Sequence, residues 1–135
     1  MSPRFDPRSR YLSDTSATVS PGQLVIMLYD ALVRDLALAE QAILESERDT
    51  AHERLLHAQA ILLELFASLD TEKWSGGPGL ARLYLFLVNE LVAANLNKNA
   101  ERVRACARLV TPLRDAWAEA LVAMNTRPAA IGTVA

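Results

Sequence analysis

The sequence has a single cysteine, Cys106, among 135 residues, so no disulfide can form within the chain. A lone thiol suits a reducing compartment, and the first residues, Met1-Ser2-Pro3-Arg4-Phe5-Asp6-Pro7-Arg8, lack the apolar stretch of a secretory signal. Both features lead to the expectation of a cytoplasmic protein. Long apolar runs are missing too. The longest, Leu24 to Tyr29 and Leu83 to Val88, are six residues each, against the roughly 20 of a membrane span, which predicts no membrane insertion. An excess of one charge is also lacking. The formal net charge is −2, whereas domains that read phosphates are usually strongly basic, so nucleic acid is not an expected partner. What the chain has in plenty is apolar residues, 51% of the total, and a chain near this length buries roughly two thirds of its unfolded surface without a disulfide or metal staple.

Charge is unevenly distributed. Residues 30 to 72 carry ten acids against three arginines, and residues 79 to 114 carry six basic residues against two acids. Helix faces of opposite sign that attract one another account for this pattern better than a nucleic-acid surface does.

The apolar residues recur at helical spacing. Residues 1 to 19 show no sustained period and read as a mobile arm. Ser20-Pro21-Gly22-Gln23 then supplies a hydroxyl N-cap, a proline at the first helical position and a glutamine that completes a capping box. A first helix starts there, carries Leu24, Leu28, Leu32, Leu36, Ala39 and Ile43 on one stripe, and fades near Ser46. Thr50-Ala51-His52-Glu53 reads as a second capping box ahead of Leu55, Leu62, Leu65, Phe66 and Leu69. Leu56 and Leu63 widen that stripe enough to require contact on two sides or an exposed groove. The stretch from Asp70 to Gly79 is a loop. The third helix, Leu80 to Leu96, has a core stripe of Leu80, Leu83, Tyr84, Leu87, Leu91 and Ala94, with Leu85, Phe86 and Val88 apolar on its other faces. A helix that is apolar most of the way round is central in a bundle or carries a partner site. Asn97-Lys98-Asn99 is a turn, Asn99 caps a fourth helix through Val103, Cys106, Val110, Leu113 and Trp117, and Pro112 predicts a bend or break near Thr111. The fold class is all-α, an antiparallel four-helix bundle over residues 20–124 with an arm at 1–19 and a flexible tail at 125–135.

Residues suited to chemistry are present but not assembled. His52 and His57 are five apart, which turns them about 140° from one another on a helix and prevents shared metal ligation. Neither histidine follows a glutamate by three, as di-iron bundles require. Cys106 is in phase with Val103 and Val110 and reads as a small core hydrophobe. Gly76-Gly77-Pro78-Gly79 has no Lys-Ser or Lys-Thr after it and reads as a turn, and Trp74 sits in the loop to pin it, the alternative being contact with a partner. No catalytic residue, cofactor or metal is expected.

One set of residues resembles a family. Tyr11, Ser20-Pro21-Gly22-Gln23-Leu24, Met27-Leu28-Tyr29-Asp30, Leu69-Asp70, Gly76-Gly77, Leu83-Tyr84, Ala94-Asn95 and Leu113-Arg114-Asp115-Ala116-Trp117 match, in order and spacing, the flagellar secretion chaperone FliS from about Tyr11 to Ala120. The resemblance implies a non-enzymatic cytoplasmic chaperone that binds the disordered C-terminal segment of flagellin. Such a chaperone blocks premature polymerisation and supports delivery to the flagellar type III export apparatus. An export-gate component is the second implied partner, and a homodimer of client-free copies a third. In this family the segment before the first helix folds over part of the client groove, a position that Tyr11 and Leu12 match. Motif position and apolar excess then nominate Leu24, Met27, Leu28, Tyr29, Leu85, Val88 and Asn95 as client-binding residues. Two departures stand out. Ala31 replaces the glycine usual after Leu-Tyr-Asp, which favours helix by about 1 kcal/mol but adds a methyl, and Pro112 interrupts a helix that the family leaves continuous. The rival from another class is a helical adaptor that uses its groove for self-association or for a different amphipathic partner.

Overall fold

A computed structural model describes the backbone of residues 19–134 and the side chains of residues 19–126. The expected arm, with Tyr11 and Leu12, lies outside the described residues. Four helices follow one another: α1 Pro21–Leu44, α2 Arg48–Ser68, α3 Gly77–Asn97 and α4 Ala100–Val134. No strand occurs among the described residues. Each helix packs on its neighbour in the chain and α4 closes against α1, which leaves α1 and α3, like α2 and α4, on the diagonals of the bundle. Glu40 pairs with Arg104, and Asp30, ten residues earlier on α1, pairs with Arg114, ten residues later on α4. The two helices therefore run antiparallel. These two pairs are where the acidic first half meets the basic second half, while Arg102 to Glu90 ties α4 to α3 within the second.

The start of α1 follows its sequence signal. The Ser20 hydroxyl accepts from the Gln23 amide at 3.1 Å, and the Gln23 side chain accepts from the Ser20 amide at 2.8 Å. The start of α2 departs from it. Thr50 is inside the helix, which begins at Arg48 after Glu47 with no side-chain cap. The cause is the way α1 ends: Ser46 takes a positive φ of 59° and the Glu47 amide reaches back to the Ala42 carbonyl at 2.8 Å, so the chain reverses before Thr50. The turn from α3 to α4 repeats the device, with Lys98 at φ 49° and the Asn99 amide on the Ala94 carbonyl. Here Asn99 does cap, accepting from the Arg102 amide at 3.1 Å.

Two further expectations are corrected. Of the bend or break expected near Thr111, the break does not occur: α4 continues through Pro112, and its backbone is helical to Val134. Pro112 and Arg108 are both exposed, so the carbonyl that proline leaves without an amide partner is on the water side. α3 begins at Gly77, with Pro78 in its first turn, three residues before Leu80. By length and composition α3 is also able to cross a membrane, although no unbroken apolar run in the chain exceeds six residues. Runs understate a helix whose polar residues are few but dispersed. In this fold α3 is a wall of the bundle.

The core is a single cluster. Leu32 and Leu36 of α1, Leu55 and Leu62 of α2, Leu87 and Leu91 of α3, and Val103 and Val110 of α4 are all almost fully buried. Cys106 belongs to it, as its phase predicted. Each such side chain contributes on the order of 1.5–3 kcal/mol of apolar burial.

Candidate functional site

Once the core stripes are satisfied, α3 still carries apolar residues on both flanks. Toward α2 these are Leu85, Val88, Val92 and Leu96, all exposed except the partly buried Val88. Opposite them on α2, Leu56, Leu63 and Phe66 recur at seven and three residues and so lie along one face. Leu56 and Leu63 are each 48% exposed, and Leu96 is 78% exposed. Together the two rows edge an open apolar groove along the α2–α3 seam. Contiguous apolar surface of this kind on a small domain marks a binding face rather than chance exposure.

One end of the groove is polar. The Asn95 side-chain amide donates across the seam to Nδ1 of His52 at 2.9 Å, and the Lys98 ammonium donates to both the backbone and side-chain oxygens of Asn95 at 2.8 and 2.7 Å. These residues, with Leu56, Gln59, Val92 and Leu96, surround a depression of about 340 Å³. At the opposite end of the bundle Trp74 folds edge-on against Trp117, ring centroids 6.5 Å apart, and divides two apolar hollows of about 240 and 300 Å³. Gly76 lets this happen: a Cβ there would stand 2.5 Å from the Trp74 ring.

The sequence-nominated residues divide among three places. Asn95 lines the depression at the end of the α2–α3 groove, and Leu85 and Val88 lie on α3 at helical spacing from Val92. Leu24, Met27 and Leu28 are on α1, which is diagonal to α3, so the fold does not bring them to the same groove; Met27 is exposed and Leu28 packs partly on the core. Tyr29 offers no surface at all. Its side chain is fully buried and its hydroxyl lies 2.6 Å from that of Tyr84, with Trp117 as a further hydrogen-bonding neighbour. As the fold stands, Tyr29 is a core strut rather than a groove residue. Leu56 and Leu63 gave a sequence signal as excess width of the α2 stripe. Val92, Leu96 and Phe66 gave none that separates groove from core.

The histidines go to different neighbours. His52 faces α3, whereas His57 turns to α1, where its Nδ1 bonds to Asp35, a carboxylate only 2% exposed that also pairs with Arg54 at 3.3 Å. Their divergence matches five-residue spacing. Burial, with the Glu90 charge adding to it, pushes the Cys106 thiol up to about 11 and leaves it a poor nucleophile.

Several motif residues meet one another in space: Tyr29 with Tyr84, Asp30 with Arg114 at 2.7 Å, and Gly76 beneath Trp74, which touches Trp117. Ala31, at the position where the family usually has glycine, packs partly against the core. The comparisons agree with this pattern. The family described as "Flagellar protein FliS" matches residues 5–124. The flagellar secretion chaperone FliS of Bacillus subtilis is 29% identical over 116 residues, 86% of each chain. That of Campylobacter jejuni is 31% identical over 112 residues, 81% of this chain and 86% of its own. The chain belongs to the FliS family of flagellar secretion chaperones, whose members are chaperones and not enzymes.

Proposed function

We propose that this protein is a cytoplasmic export chaperone that holds the disordered C-terminal segment of flagellin, prevents its premature polymerisation and supports its delivery to the flagellar export apparatus. The observation that carries the reading is the α2–α3 groove, with Leu56, Leu63, Leu85 and Val92 exposed, in a chain whose relatives are named flagellar secretion chaperones. The recognition is helix-in-groove: an amphipathic client segment lays its apolar face along the seam and folds as it binds. The ordering cost offsets part of the interaction and keeps release feasible. While bound, the client's apolar residues are withheld from filament contacts. An export-gate component is the downstream partner in this reading.

Tyr11 and Leu12 act as a displaceable cover ahead of α1, and Leu24, Met27 and Leu28 extend client contact onto α1. Unchanged client affinity and association rate after deletion of residues 1–18 would remove the cover from this account. Client-free copies pair through their apolar faces and separate when client is added. The overall test is flagellin polymerisation followed by light scattering: an equimolar amount of this protein suppresses growth, and a lack of effect at several-fold excess counts against the proposal. A dimer that persists in size-exclusion chromatography with flagellin present favours the adaptor instead.

A further inference from the structure

The α2–α3 groove is apolar along most of its length and ends in a cation. Lys98 terminates α3 in the left-handed conformation, which returns its side chain over the last turn of the helix, where the ammonium meets both oxygens of Asn95. An ammonium has three donors, and these bonds use two. Lys98 has no carboxylate within ion-pair distance among the described residues, although Arg54, Arg102, Arg104 and Arg114 all have one. The depression beside it is lined by the apolar Leu56, Val92 and Leu96 and by the polar His52, Gln59, Asn95 and Lys98, with no acidic side chain. Asn95 donates to His52 and accepts from Lys98, so the rim is a connected unit.

We propose that this end of the groove receives the free carboxylate that terminates an apolar client segment, with Lys98 as its ion partner and Leu56, Val92 and Leu96 contacting the last apolar side chain. The inference rests on the proposed client being a C-terminal segment and adds its direction: the client runs parallel to α3, with its last residue at Lys98. A client helix in that direction places the negative end of its macrodipole at the same cation, which reinforces the charge pairing. The reverse direction would set the client's positive end against Lys98. An internal Asp or Glu side chain would present the same chemistry, and the experiment separates the two sources.

The test titrates the C-terminal segment of the organism's own flagellin in three forms: free acid, C-terminal amide, and a form extended by four neutral residues. Each is measured against the natural protein and Lys98→Met. The expected result is that amide and extended forms bind the natural protein about tenfold more weakly than the acid, and that Lys98→Met binds all three alike. Equal binding of acid and amide to the natural protein overturns the inference and leaves the chaperone reading standing, with a side-chain carboxylate as the alternative if Lys98→Met still weakens both. Failure of every form to bind overturns both. The amide arm needs no variant, so instability of Lys98→Met does not obscure the answer.

Discussion

The hydroxyls of Tyr29 and Tyr84 meet at 2.6 Å across the bundle diagonal and join α1 to α3, two helices whose backbones are not neighbours. Burial pushes both phenols above their ordinary range, so the bond is between neutral groups. Tyr29→Phe strands the Tyr84 hydroxyl in the core, whereas Tyr84→Phe takes one of two neighbours from the Tyr29 hydroxyl and leaves it Trp117. Each single variant is expected to lose about 1–2 kcal/mol in urea unfolding, and the double variant to lose less than the sum of the two. Strict additivity would show that the two hydroxyls do not support one another.

Asp35 is the buried acid among the described residues, held on α1 by His57 and Arg54 from α2. His57 is more than half exposed, so a surface view makes its removal harmless. The pairing predicts otherwise: His57→Ala leaves Asp35 with Arg54 at 3.3 Å as its remaining partner and is expected to cost about 1–3 kcal/mol, read from the denaturation midpoint. Asp35→Asn with His57 intact tests the same contact from the buried side.

Cys106 titrates higher in the folded chain than in the unfolded one, from an ordinary 9.0 to about 11. Its stabilising effect is therefore complete below pH 9 and is lost as pH rises toward 11, because the unfolded chain releases its thiol proton first. The loss is on the order of 2 kcal/mol, visible as a melting temperature that falls more steeply above pH 9 than in Cys106→Ala. At pH 7.5 a thiol reagent should label the native protein far more slowly than the urea-unfolded chain.

Trp74 and Gly76 are coupled by space alone, since Gly76 has an ordinary helical φ of −81°. Gly76→Ala displaces the indole from Trp117, which predicts a loss of near-ultraviolet circular dichroism and a red shift of tryptophan emission. In a Trp74→Ala background the same substitution should be almost neutral for stability.

Much of the architecture is legible in the sequence where a signal is local. The Ser20 box, the Asn99 cap and the core phase of Leu32, Leu55, Leu87 and Val103 are all found where periodicity and capping chemistry place them. The Thr50 box fails because a tight reversal at Ser46 and Glu47 starts α2 first, and the competing feature is a backbone conformation that serine rarely adopts. Pro112 does not break α4, because the cost of a proline depends on whether the freed carbonyl faces water, which only the fold decides. The groove is half legible. Excess apolar width on α2 and α3 announces a surface in need of cover, but Tyr29 looks no different from Leu85 in one dimension until packing sends it inward. The Asp35–His57 pair joins residues 22 apart with no motif to announce it.

The central claim is that the α2–α3 groove holds the client. Its most direct test is calorimetric titration of the flagellin C-terminal segment into the natural protein, the Leu56→Ser/Leu63→Ser double variant, and Leu38→Ser, an exposed leucine on α1 away from the groove. Saturable one-to-one binding with a negative heat-capacity change is predicted for the natural protein and Leu38→Ser, with a loss of tenfold or more in the double variant at unchanged melting temperature. Equal affinity in all three proteins, or no binding to any, would contradict the account.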